Sequence, residues 1–357
     1  MTVTTPFYDP EKSYEDNFAE GPFGAFADES QSAKPFMGKK TILFGMELDA
    51  PFGIPAGPLL NGKFVEAAFR MGYSLPTYKT VRTRERGCHP WPNVVPIEVD
   101  GDLTLEKAAA GLTQTDEYKD PIAITNSFGV PCPPVEFWQA DMKKAVEAAG
   151  PGQVMIASYQ GTNDGNGEEA FIEDFVLGAR LVKETGARII EINLSCPNEG
   201  KAQVLCQDTD MVERIAIAVK EEVGDTPILL KMPYYTDDAA LLDFVDRLTK
   251  VIDGLVMINT IAGEVRKPNG EQALPGEKRL RSGICGAPIK WAGLSMVKRV
   301  AQMRADLGRD FVIIGTGGVT TPADYHEYLE AGADAVMCAT GAMWNPGLAE
   351  EILDTLE

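Results

Sequence analysis

The chain has 357 residues, of which 44% are hydrophobic and 24% charged, a composition that supplies a packed core and argues against extended disorder beyond the termini. Its 53 acidic against 33 basic residues give a formal net charge of -20, which sets nucleic acid aside as a partner and fits an acid-rich, solvated surface. No run approaches the ~18 consecutive apolar residues of a membrane-spanning helix, and residues 1–30 lack the basic start and apolar run of a signal peptide. The six cysteines contain no C-x-x-C pair, so neither a zinc site nor a cysteine-ligated iron–sulfur cluster is signalled. The expectation is a cytoplasmic protein with free thiols, no membrane contact and no metal.

In chain order, residues 1–45 are rich in Gly, Pro, Asp and Glu without sustained periodicity, and read as an N-terminal extension that wraps the surface or stays partly mobile. From residue 46 to 357, short apolar runs alternate with amphipathic segments of helical length, the pattern of βα units around a parallel sheet. The runs fall near 52–56, 75–80, 122–126, 153–158, 189–194, 227–232, 254–260, 311–315 and 335–340. A (β/α)8 TIM barrel accommodates eight of them. The run at 122–126 is therefore assigned to a long excursion after the second strand, within the polar stretch 81–133. Among the helices, Met211, Ile215 and Val219 recur at four-residue intervals beside Val212 and Ala216, behind an Asp208-Thr209-Asp210 start signal. No repeat of 20–50 residues interrupts the single-domain reading.

In a parallel barrel the C-terminal ends of the strands converge on one mouth, where functional groups sit. The polar residues of this chain fall at those ends: Lys79, Asn193, Lys231, Asn259 with Thr260, Gly315 to Gly318, and Thr340 with Gly341. Gly317, Gly318 and Gly341 suit a phosphate cup, because glycine lets backbone N–H groups enclose an anion. A cup after the seventh and eighth strands fits the phosphate of a flavin mononucleotide, against the plainer reading of GTGG as a tight turn. The segment Asn193-Leu194-Ser195-Cys196-Pro197-Asn198 places two carboxamides around a thiol. Asn193 and Asn198 can pair with the edges of a cyclic imide and Cys196 can accept a proton, whereas a cysteine standing alone is more often inert packing.

This segment resembles the active-site loop of the class 1 dihydroorotate dehydrogenases, whose base is the cysteine of N-[LI]-S-C-P-N. The resemblance runs through most of residues 48–345 and includes APFGIPAG, YKT, NSFG, LLKMP, NT after MI, SGICG and GTGGV. It implies FMN held by Ala56, Gly57, Lys79, Ser158, Asn193, Lys231, Gly283, Gly317, Gly318, Thr340 and Gly341. It implies a substrate bordered by Lys79, Asn126, Phe128, Gly129, Asn193, Asn198, Asn259 and Thr260. The implied reaction is oxidation of dihydroorotate to orotate in pyrimidine biosynthesis, with Cys196 taking the C5 proton and flavin N5 the C6 hydride. Lys231, as the second catalytic residue, would stabilise charge at the flavin N1–C2 edge. Homodimeric assembly is implied as well. Electrons would pass to fumarate, or to NAD through an electron-transfer partner chain.

The sequence departs from that pattern at several points. The family's N-P-x-P-R after the second strand appears here as His89-Pro90-Trp91-Pro92-Asn93, with Asn93 at the arginine position. The stretch from Ile97 to Pro121 is long, Cys132 follows NSFGVP where Asn is common, and Cys206 is an alternative to Cys196 because related dihydropyrimidine dehydrogenases carry their acid cysteine downstream of N-L-S-C-P. Two other functions stay open: an FMN oxidoreductase acting on another dihydropyrimidine or cyclic amide, and a cofactor-free barrel serving as a binding scaffold, against which the glycine cups count. His89 and His326, the two histidines, read as surface or loop residues. Trp91 and Trp138 read as packing.

Overall fold

The computed structural model describes residues 5–194, 205 and 208–356. Eight strands form the parallel sheet: Phe52–Gly53, Thr77–Val81, Ile156–Tyr159, Ile189–Asn193, Ile228–Met232, Gly254–Met257, Val312–Thr316 and Ala335–Met337. They are called here the first to eighth barrel strands. Each pairs in parallel with the next from the second to the eighth, and the eighth pairs with the first. The seam between first and second strands is crossed by the Leu75 and Thr77 amides, which donate to the Phe52 and Ile54 carbonyls at 3.1 and 2.8 Å. This is the expected TIM barrel.

Side chains alternate between its inside and outside. On the fourth strand, Ile189 packs with Leu229, Val256, Ile314 and Met337 inside the barrel. Ile190 and Ile192 pack outward in the cluster that includes the helical residues. Glu191 and Asn193 share the inner side with Ile189. A hairpin, Thr41–Leu43 against Met46–Leu48, adds Leu43, Met46 and Leu48 to the interior cluster and so plugs the barrel's N-terminal end. The division expected at residue 45 falls in the turn of this hairpin.

The helix anticipated behind Asp208 runs from Thr209 to Val223. Asp208 caps it by accepting from the Met211 amide at 3.0 Å, and Met211, Val212, Ile215, Ala216 and Val219 are its buried face. The run at 122–126 is the strand Ala123–Asn126 and lies outside the barrel, as the excursion after the second strand required. It belongs to a five-stranded sheet with Val94–Pro96, Arg281–Gly286, Ile261–Arg266 and Leu112–Thr113. A second excursion, after the sixth barrel strand, thus contributes a hairpin to the same sheet. The sequence shows it weakly, because Ile261–Arg266 and Arg281–Gly286 are interrupted by glycines at 263, 283 and 286.

The N-terminal segment is packed rather than loosely wrapped. Phe7, Tyr8 and Phe26 are at most 2% exposed, and Phe7 stacks on Phe26 with ring centroids 4.3 Å apart. Buried Asn17 accepts from the Asp9 amide and donates to the Asp9 carbonyl, both at 2.8 Å, closing the turn before the helix Tyr14–Glu20. Asn61 then ties the segment to the barrel by donating to the Phe18 carbonyl at 2.9 Å. Spaced aromatic anchors achieve this inside an acidic, glycine-rich text whose average composition reads as loop.

Candidate active site

A cavity opens at the C-terminal ends of the barrel strands, between them and the five-stranded sheet. Its empty space, open mouth included, is ≈ 1190 Å³.

On the barrel side the lining contains Ala56, Gly57, Lys79, Asn193, Lys231, Asn259, Thr260, Gly317, Gly318, Thr340 and Gly341; on the sheet side it contains Asn126, Phe128 and Gly129. These residues, scattered over nearly 300 positions, are brought together because each ends a strand or opens the loop behind one. Ser158 and Gly283 stand behind the wall instead. The Ser158 hydroxyl bonds to that of Thr80 at 3.0 Å, and Thr80 borders the cavity. Gly283 lies opposite Asn126 in the sheet ladder. Its missing side chain leaves room for Thr260, whose Oγ1 would be 2.7 Å from an added Cβ. Cys196, Asn198 and Cys206 lie outside the described residues.

The glycine cup meets a specific test. Gly318 has φ +71, and a Cβ there would fall 2.6 Å from the Lys290 amide nitrogen; a Cβ on Gly341 would strike the Val319 carbonyl oxygen. The loop after the seventh strand therefore lies close against the start of the helix Lys290–Leu307 at Gly318 and against Gly341 after the eighth strand. Behind this turn, Asp324 accepts from the Thr320 and Thr321 amides at 2.9 Å and pairs with Lys290 at 2.6 Å. Burial pushes the Asp324 carboxyl up, but Lys290 and the threonine donors outweigh it and hold the group below its ordinary value. The cup is thus braced by a charged clamp. The residues present fit FMN, with the glycine cup for its phosphate and Lys79 and Lys231, at 7% and 5% exposure, as enclosed cations.

Asn193 donates to Gln160 at 3.1 Å, and Asn126 donates to the Cys285 sulfur at 3.1 Å, so both carboxamides are oriented. Burial pushes the thiols of Cys88 and Cys285 up to about 12 and that of Cys132 up to about 11. These three cysteines stay protonated at neutral pH and are poor proton acceptors.

Several features went unread in the sequence. Tyr8 lines the cavity from the N-terminal segment, its ring edge-on to Phe128 at 5.7 Å. Cys285 and Thr80 also line it. Only the aromatic spacing of the N-terminus could have hinted at Tyr8. At the arginine position, Asn93 is a brace, donating to the His89 carbonyl at 3.0 Å and that of Ser127 at 3.2 Å. A guanidinium reaches this loop from elsewhere: buried Arg279 donates to the Pro90 and Ser127 carbonyls, each at 2.7 Å. Cys132 accepts from the Arg82 amide at 3.2 Å and is a packing residue behind the second strand. His89 sits half-buried against Ser127, and His326 lies on the helix Pro322–Glu330 beside Thr355. Trp138 is in the core and Trp91 is half exposed.

A family model described as dihydroorotate dehydrogenase matches residues 39–357. A dihydroorotate dehydrogenase of Dictyostelium discoideum is 35% identical over 366 residues, covering 97% of this chain and 96% of its own. The catalytic subunit of a dihydroorotate dehydrogenase B (NAD(+)) from Fusobacterium nucleatum subsp. nucleatum is 30% identical over 240 residues, 64% of this chain and 76% of its own. Among solved structures, DHODH from Eimeria tenella in complex with ferulenol superimposes with a TM-score of 0.73 at 20% identity, covering 93% of this chain and 87% of that one, a likeness of fold. Barrel, cup and relatives agree, and the chain belongs to the dihydroorotate dehydrogenase family, FMN-dependent oxidoreductases that act on the CH–CH group of dihydroorotate.

Proposed function

We propose that this chain oxidises dihydroorotate by the cysteine-base route of the class 1 enzymes, with Cys196 removing the C5 proton. The observation that supports this reading is the cavity itself, in which Lys79, Asn126, Asn193, Asn259 and Thr260 line a common space with the glycine cup. Lys79 binds the substrate carboxylate, and the carboxamides and Thr260 pair with the amide edges of the ring. Phe128 and Tyr8 close the apolar side and exclude water. Burial raises the thiols of Cys88, Cys132, Cys285 and Cys338, and the resemblance to the class 1 active-site loop makes Cys196 the preferred base, with Cys206 second. When bound, FMN supplies the acceptor for the C6 hydride. Lys231 keeps a positive charge at the cavity wall, favourable where negative charge accumulates on reduction.

Residues 46–357 form the FMN-binding unit in this reading, and the protein works as a cytoplasmic homodimer. No helix among the described residues is long and apolar enough to cross a membrane. The resemblance to class 1 members supports fumarate, or an electron-transfer partner chain, as acceptor; light scattering of the purified protein tests the dimer.

The deciding experiment is the visible spectrum of the purified holoprotein before and after anaerobic addition of dihydroorotate. Bleaching of the flavin bands is expected. Bands that persist with dihydroorotate but bleach with another 5,6-dihydropyrimidine would overturn the substrate assignment and keep the flavin site.

A further inference from the structure

Beneath the polar layer that faces the cavity, the barrel holds an acid that the reaction above does not use. Glu191 lies two residues before Asn193 on the fourth strand, so its side chain points to the same inner side. It is 0% exposed, and neither carboxylate oxygen has a hydrogen-bond partner among the described residues. Its ladder neighbours are Ser158 and Leu229; the serine hydroxyl is engaged with Thr80 at 3.0 Å. A carboxylate in a dry interior is strongly disfavoured unless a charge answers it.

The answering charge is Lys231. It sits on the adjoining strand opposite Asn193, one layer nearer the cavity, and diagonal positions on one sheet face are about 7–8 Å apart, within reach of long side chains. Burial lowers the affinity of the Lys231 amine for its proton, while the Glu191 carboxylate, and then Cys285, raise it. Glu191 is farther from the cavity than Lys231, so the lysine governs the field at the ligand.

We propose that Glu191 is a positioning residue: its enclosed carboxylate is the counter-charge that keeps Lys231 an ammonium at the cavity wall, facing the flavin as it gains electrons. The inference rests on the assignment of Lys231 to the flavin. Without Glu191, so deeply buried a lysine releases its proton readily; the wall becomes neutral, and the flavin stays bound but is harder to reduce.

The test uses the FMN-loaded full chain. Glu191→Gln keeps the volume and removes the charge, and the midpoint potential of the bound flavin is the readout. The expected result is at least a tenfold loss of preference for reduced over oxidised flavin, ~30 mV more negative for a two-electron couple, with Glu191→Asp restoring part of it. Lys231→Met should shift the potential in the same direction and at least as far, and the double variant should match Lys231→Met. If Lys231→Met leaves the potential unchanged, the assignment of Lys231 fails; if it shifts the potential and Glu191→Gln does not, the role of Glu191 alone is overturned. Should Glu191→Gln by itself fail to fold, thermal unfolding of the other two variants decides. Lys231→Met strands a buried carboxylate, so the double variant should melt above it, and an equal or lower melting point refutes the coupling.

Discussion

Replacing Gly318 by alanine probes the cup most directly. At φ +71 an L-residue pays about 1–2 kcal/mol of backbone strain. The new Cβ, 2.6 Å from the Lys290 amide nitrogen, must also push the loop away from the start of the helix Lys290–Leu307, an overpacking cost of about 1–3 kcal/mol. The sum, about 2–5 kcal/mol, corresponds to roughly 30-fold to a few thousand-fold in an equilibrium constant. Where that cost appears is the informative part. If Gly317 and Gly318 present their backbone to the FMN phosphate, the strained loop swings away from the ligand and the loss is read as a higher Kd for FMN, measured by flavin fluorescence during titration of the apoprotein. Gly308→Ala is the matched control. Gly308 is also left-handed, at φ +60, but no atom lies within 4 Å of an added Cβ, and it ends the helix Lys290–Leu307 far from the cup. It should lower the melting temperature by a few degrees and leave the Kd unchanged. A Gly318→Ala protein that melts lower yet binds FMN like wild type would refute the cup and make GTGG a turn only.

Three further outcomes are expected. Cys196→Ala should retain FMN and lose most of its turnover, while wild-type turnover should rise with pH as a thiol ionises, about 8.5 for an unperturbed cysteine; wild-type-like rates in the variant would move the role to Cys206. Phe7→Ala removes the stack on Phe26 and should free the N-terminal segment, exposing residues before 30 to limited proteolysis. Loss of the Tyr8 wall should then raise KM for dihydroorotate about two- to tenfold, the size of an aromatic edge contact of about 0.5–1.5 kcal/mol, and an unchanged KM in the nicked protein would take Tyr8 out of the site. Asp324→Asn should destabilise the protein by about 1.5–3 kcal/mol, the scale of hydrogen bonds to a charged group. Because the folded-state pKa of Asp324 is depressed, its contribution is present above the unfolded value of about 3.9 and is lost as pH falls through the lower folded value. The gap in melting temperature between variant and wild type should therefore be full at pH 6 and shrink below about pH 4.

Much of the barrel was legible because its information is local. A strand buried on both faces must be a short apolar run, and its functional residue must follow that run directly, so Lys79, Asn193, Lys231 and Asn259 announce themselves by position. The helix behind Asp208 is written in a cap and a four-residue period. Tertiary structure alone decided the rest, because it depends on partners distant in the chain. The hairpin Ile261–Arg266 and Arg281–Gly286 is held by pairing with Ala123–Asn126 rather than by its own glycine-broken text. Ser158 and Gly283 could be placed near the site from sequence, but whether a side chain reaches the wall or stands one layer behind it is fixed by packing against Thr80 and Thr260. Tyr8 enters the cavity because Phe7, Asn17 and Phe26 fold the N-terminus back onto the barrel. Glu191 reads as an ordinary charged residue in IIEIN until strand alternation turns it inward beneath Lys231, where burial gives a single charge its weight.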